Sequence, residues 1–226
     1  MLKYVWYVIT NFGDTSILLP CALLVALVLF LKTSTRHLSV VWIFLVVIVD
    51  TVVAITKVLY MGWRLGIPSL DFTGLSGHTT VSFLVWPVTF LLFLGQTEVR
   101  RIIGIGFGVL LGVLVAVSRL EVHAHSIAEV VFGGIFGLTL SSVFIFRKRN
   151  LLQVAALRRG LALALILPLA IGLGHTVPAE SILATVARML SGHSYVYTRA
   201  DLHSASSRSP ASYTDPPQAS PDAQTR

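Results

Sequence analysis

Read from its N-terminus, the chain alternates long apolar runs with short polar interruptions. The apolar stretches fall at about 18–31, 38–56, 80–95, 102–117, 127–146 and 160–174. A helix of about 20 apolar residues crosses roughly 30 Å of hydrocarbon, so the pattern predicts an all-α, polytopic membrane protein with a six-helix transmembrane bundle. The interruptions mark where helices begin and end. Asn11, Gly13, Asp14 and Thr15 precede the first span, and Asp14 or Thr15 is suited to cap its helix. Gly62, Gly66 and Pro68 in "TKVLYMGWRLGIPSL" break the second span, and the third helix starts at Ser76 or Thr79. After the fourth span, "SRLEVHAHSIAEVVFGG" concentrates polar residues and histidines, and Gly133, Gly134 and Gly137 then allow close helix approach.

The chain divides into an interfacial N-terminal segment (1–16), a six-span domain (17–176), a short amphipathic helix (177–191) and a tail (192–226). Aromatics and Lys3 near the N-terminus suit the membrane surface, and with Asp14 interrupting the apolar stretch the first span is expected to be retained. The tail is dominated by Ser, Ala and Pro and is expected to be disordered.

Composition narrows the solvent. Of 226 residues, 55% are hydrophobic and 12% charged, against about 25% charged in ordinary soluble domains. With a mean hydropathy of +0.82, too little polar sequence remains to cover six apolar helices in water. Lys32, Arg36, Arg100, Arg101, Arg147, Lys148, Arg149, Arg158 and Arg159 all fall in loops on one side, which is therefore predicted to be cytoplasmic. The net charge of +7 sits in these short juxtamembrane loops, a placement that suits anionic lipid and not nucleic acid. Cys21 alone permits neither an internal disulfide nor a Cys-based metal cluster.

On the opposite side, the 57–79 and 118–127 loops keep Lys57, Arg64 and Arg119 where basic residues are normally scarce. Three fixed cations suit a phosphate: Arg offers bidentate geometry and Lys a compact charge. Ser76, Gly77 and His78 open the third helix, where backbone N–H groups add donors. His125 and Glu129 are four apart and share a helical face, so the carboxylate can fix the tautomer of an imidazole whose other nitrogen attacks phosphorus. His78 is placed to protonate a departing oxygen. A metal held by His123, His125 and Glu129 is the chemical rival, opposed by the cations around it. Asp50, inside the second span, is an expensive acid in a membrane and hence a functional candidate.

Three stretches carry a resemblance: "KVLYMGWRL" at 57–65, "LSGH" at 75–78 and "SRLEVHAHSIAE" at 118–129. Together they resemble the Lys-x6-Arg-Pro, Pro-Ser-Gly-His and Ser-Arg-x5-His-x3-Asp signatures of the type 2 phosphatidic acid phosphatase (PAP2) superfamily, in the same order. Leu65 and Leu75 stand in place of prolines and Glu129 in place of the aspartate. The resemblance implies a PAP2-type bundle of the bacterial integral-membrane lipid phosphatase kind. It implies Lys57, Arg64, Ser76, Gly77 and Arg119 around phosphate, His78 as general acid, His125 as the phosphorylated nucleophile and Glu129 as its orienting carboxylate. No metal or cofactor is implied. The expected substrate is a lipid phosphate or polyprenyl diphosphate, hydrolysed on the periplasmic or extracellular side of a bacterial plasma membrane. Phosphotransfer to an acceptor other than water and non-catalytic headgroup binding are the alternatives.

Overall fold

The structure, a computed structural model, describes residues 2–95, 97–148 and 179–204. The described residues are all-α. A short helix α1 (Leu2–Asn11) leads into α2 (Thr15–Leu31), and Asp14 caps α2 by accepting from the Ser16 N–H at 2.8 Å. A 3-10 turn (Thr33–Thr35) connects to α3 (Arg36–Trp63), whose 28 residues extend about 42 Å at 1.5 Å per residue. Then follow α4 (Gly77–Leu94), α5 (Glu98–Glu121) and α6 (Ile127–Lys148). Helix α7 (Ala179–Ser191) and a final turn α8 (Arg199–Ser204) complete the described chain.

Five stretches are long and apolar enough to cross a membrane: Tyr4–Leu31, Thr33–Trp63, Gly77–Leu94, Glu98–Glu121 and Ile127–Arg147. The architecture is therefore that of a polytopic membrane protein. The span expected at 160–174 lies outside the described residues. The N-terminal residues expected only to lie at the interface form α1, which packs on α5 and, with α2, makes up the first candidate span. Asp50 is exposed on the surface of α3. Other outward faces carry large apolar side chains such as Leu23, Phe44, Phe107, Leu110, Phe132 and Ile135, the surface a hydrocarbon solvent favours.

Helix α4 is the axis of the bundle, packed against α5 and α6 and, on its other sides, α2 and α3. Helices α2 and α3 form a hairpin clamped by side chains that donate across to backbone. Trp42 Nε1 reaches the Ala22 carbonyl and Ser39 Oγ the Ala26 carbonyl, both at 2.8 Å. On the far side, glycines bring the backbones close: Gly108 of α5 lies against Pro87, and a Cβ on Gly137 of α6 would run into the Thr80 carbonyl oxygen. Gly137→Leu is accordingly expected to push α6 off α4 and destabilise the bundle by about 1–3 kcal/mol or more, read as a lowered melting temperature in detergent.

This up-and-down order gathers the start of α2, the end of α3, the start of α4, the end of α5 and the start of α6 at one end. The described basic residues Lys32, Arg36, Arg100, Arg101 and Arg147 gather at the other.

Candidate active site

Two loops distant in sequence meet at this end. The loop before α4 threads past α3 at Gly74, whose φ of +147° and whose approach to Lys57 (a Cβ would lie 3.1 Å from the Lys57 nitrogen) exclude a side chain. Beyond it, Leu75 N–H donates to Thr56 Oγ1 at 3.1 Å. Ser76 N–H donates to the Glu129 carbonyl at 3.2 Å, which joins the start of α4 to the first turn of α6. Gly77 opens α4 and His78 follows it. His78 Nε2 lies 3.6 Å from Asp14 Oδ2, so the residue that caps α2 also faces an imidazole of α4. Trp86 Nε1 donates to the Phe12 carbonyl at 3.1 Å and ties the end of α1 to the same helix.

The centre of the site is a carboxylate. Glu129 has a fully buried side chain, and its Oε2 lies 2.7 Å from His125 Nδ1. Thr73 donates to Oε1 through its N–H at 2.7 Å and its hydroxyl at 2.6 Å. Ser126 N–H donates to Oε2 at 3.2 Å, and Arg199 Nη2 at 2.5 Å. A group surrounded by these donors is an acceptor only, so Nδ1 of His125 carries the proton and Nε2 keeps its lone pair. Burial pushes the His125 pKa below the ordinary 6.5, outweighing the pull of the Glu129 hydrogen bond in the other direction. The imidazole is thus neutral near pH 7.

Cations surround this pair. Lys57 Nζ stands 3.9 Å from Glu180 of α7, and the charges of Lys57 and Arg119 act on both His78 and His125. Arg119 donates through Nη1 to Thr10 Oγ1 at 2.9 Å. Its Nε is buried without a hydrogen-bond acceptor among the described residues. A buried guanidinium N–H left in this state is costly unless an anion accepts from it.

Residues 68–153 match the PAP2 superfamily. The chain is also 34% identical, over 203 residues, to the "Uncharacterized 22.5 kDa protein in cps region" of Klebsiella pneumoniae, an alignment covering 88% of this chain and 97% of that protein. The chain carries a PAP2-superfamily domain over part of its length. No solved structure matches it. PAP2 membership, with a buried network of histidine and carboxylate side chains, supports a hydrolase-type enzyme.

The superfamily signatures come together with one exception. Lys57, Ser76, Gly77, His78, Arg119, His125 and Glu129 lie at the same end of the bundle. The extra methylene of Glu129, relative to the aspartate of the pattern, does not take its carboxylate out of reach of His125. Arg64 differs from expectation. It ends α3 in the left-handed conformation (φ 59°), donates to the Asp201 carbonyl and lies over the Tyr197 ring, 5.8 Å from its centroid. Its side chain therefore holds the C-terminal segment. The left-handed residue sends the backbone and side chain away from the helical track that would align Arg64 with Lys57.

Residues 192–204, expected to belong to a disordered tail, instead run along the end of α3. Tyr197 N–H donates to the Met61 carbonyl at 2.9 Å, Tyr60 Oη to the Thr198 carbonyl at 2.6 Å, and Leu202 is buried. The segment brings Arg199 to Glu129, a contact that sequence reasoning missed. The available signal was local: "YVYTRADL" carries apolar and aromatic residues, whereas the Ser, Ala and Pro bias begins only after it. Residues 205–226 lie outside the described chain.

A cavity of about 370 Å3 is lined by Lys57, Thr73, His125, Glu180, Tyr197 and Arg199, among others. On its other side His125 also borders an open groove walled by Leu70, Leu120, Ile127, Val131 and Phe132. The imidazole therefore borders both a chamber that holds Lys57, Glu180 and Arg199 and a largely apolar groove.

Proposed function

We propose that the protein hydrolyses a lipid phosphomonoester or pyrophosphate, without a metal, through a phosphohistidine. The observation that carries this reading is the imidazole of His125, held with Nδ1 2.7 Å from the buried Glu129 carboxylate at the end of the bundle that also gathers Lys57 and Arg119. Nε2 of His125 attacks phosphorus in line, so that an N–P bond forms as the bond to the leaving oxygen breaks. Lys57, Arg119 and the N–H groups of Gly77 and His78, at the start of α4, hold the charge on the remaining oxygens. His78, paired with Asp14, gives its proton to the leaving oxygen. Water then attacks phosphorus, returning a proton to His78 as the N–P bond breaks, and phosphate departs with His125 neutral again.

The groove beside His125 supports an amphiphilic substrate, with the headgroup among the cations and the tail along α6. Phosphatidate, phosphatidylglycerol phosphate, polyprenyl diphosphates and lipid A phosphates all have this form. The basic loops at the opposite end support a bacterial plasma-membrane location with the site on the periplasmic or extracellular face. With 160–174 as a sixth span, the domain is a PAP2-type six-helix bundle.

Protein purified in detergent is expected to release phosphate from at least one member of such a panel with EDTA present. Binding without release from every member would favour the headgroup-binding alternative. Appearance of the phosphoryl group on an added alcohol acceptor would favour phosphotransfer.

A further inference from the structure

The segment 192–204 is fastened along its length. His193 Nδ1 lies 3.1 Å from the Gly62 carbonyl, the Met61 carbonyl accepts from the Tyr197 N–H, the Tyr60 hydroxyl donates to the Thr198 carbonyl, and Arg64 donates to the Asp201 carbonyl. Asp71, in its own left-handed turn (φ 48°), supplies the last fastening, with Oδ2 at 2.6 Å from Arg199 Nη1 and Oδ1 at 2.8 Å from His203 Nε2. These contacts present one guanidinium inward, and Arg199 bridges Asp71 to Glu129.

Resting on the roles proposed above for His125 and Glu129, we infer that Arg199 is a positioning residue of the active site, delivered by the C-terminal segment to hold the Glu129 carboxylate against His125. Three observations lead there. Oε2 of Glu129 is shared by His125 Nδ1 and Arg199 Nη2, so a displacement of the guanidinium moves the atom that orients the imidazole. Arg199 lines the same cavity as His125 and Lys57. Arg64, the arginine of the first signature, is committed to the strap that carries Arg199.

The consequence is electrostatic as well as steric. An unshared carboxylate on Nδ1 favours the imidazolium, which has no lone pair for attack. A guanidinium on the same oxygen offsets part of that charge and keeps His125 neutral. The other charged groups around His125 are Glu129 on α6, Lys57 on α3 with Glu180 of α7 beyond it, Arg119 on α5, and the His78–Asp14 pair between α4 and the start of α2. Arg199 is the cation among them that bonds directly to the orienting oxygen. Burial opposes its own charge, but Glu129 and Asp71 outweigh that and hold its pKa above the ordinary value.

The test is a comparison of Arg199→Ala, Arg199→Gln and Arg199→Lys with wild type, all verified as folded by thermal melting in detergent. Loss of a partner one step behind a reacting group typically costs on the order of 10–100-fold in activity. Arg199→Ala and Arg199→Gln are expected to lose that much in kcat with little change in KM, and their rate is expected to fall off at higher pH than wild type. Arg199→Lys should restore part of both. In parallel, NMR titration of the His125 imidazole should show its pKa rising in Arg199→Gln. That readout needs no substrate, so it decides the role of Arg199 even if wild-type protein turns over no lipid phosphate, an outcome that would overturn only the proposed function. An unmoved His125 titration in folded Arg199→Gln, or a loss confined to KM or to melting temperature, would overturn the inference.

Discussion

His125→Ala is expected to abolish phosphate release, lowering kcat by at least about three orders of magnitude. Alanine removes Nε2, the atom proposed to form the covalent bond, and among the described residues no other imidazole meets Glu129. The surrounding cations remain, so lipid phosphate should still bind. The variant should also fold, because Glu129 keeps its bonds to Thr73, Ser126 and Arg199 when the imidazole is gone. Steady-state phosphate release from detergent-solubilised protein, with a melting curve on the same preparation, measures both. Wild-type turnover in folded His125→Ala protein would reject His125 as the nucleophile.

Glu129 variants should separate chemistry from stability. Glu129→Gln keeps the shape but replaces half of an acceptor-only group with a donor, which disfavours the Nδ1–H tautomer of His125. Substituting an orienting carboxylate in this way costs about 10^4 in kcat where it has been studied in hydrolases, and a loss of two to four orders, about 10^2 to 10^4, is expected here. Glu129→Ala goes further, because it strips the acceptor from two backbone N–H groups, a hydroxyl and a guanidinium at a fully buried position. Breaking a buried pair by removing one partner typically costs about 3–5 kcal/mol. The lower end applies, since the Arg199 side chain is 33% exposed and keeps Asp71 as a second partner. The order of melting temperatures should therefore be wild type, Glu129→Gln, Glu129→Ala. Near-wild-type kcat in Glu129→Gln would show that the contact to His125 orients nothing of consequence.

Much of this site was legible in the sequence because its parts lie at helix ends, where periodicity breaks and polar residues become conspicuous. Gly77 and His78 open α4 and Arg119 lies in the last turn of α5, while His125 sits in the bend just before α6 and meets Glu129 of its first turn from outside the helix, not along a shared helical face. Asp14 was readable as a cap because capping is a local bond to the Ser16 N–H. Its second contact, to His78, was not readable, since it depends on where α4 packs. Arg64 misled for a similar reason: seven residues from Lys57 would nearly align on a continuous helix, but the helix ends at Trp63 and Arg64 turns left-handed.

The sequence by itself determined the solvent and the local chemistry: apolar runs of spanning length, a one-sided distribution of basic loops, and short-range pairs such as His125 with Glu129. These follow from composition and from separations of a few residues along the chain, which limit how far apart two groups can lie in any fold. Only the tertiary structure decided which distant groups share one carboxylate. Thr73, His125 and Arg199 reach Glu129 from three separate stretches of chain. Bringing them together requires the packing of α3, α4 and α6 and the docking of residues 192–204, and no local periodicity encodes a contact made across such distances.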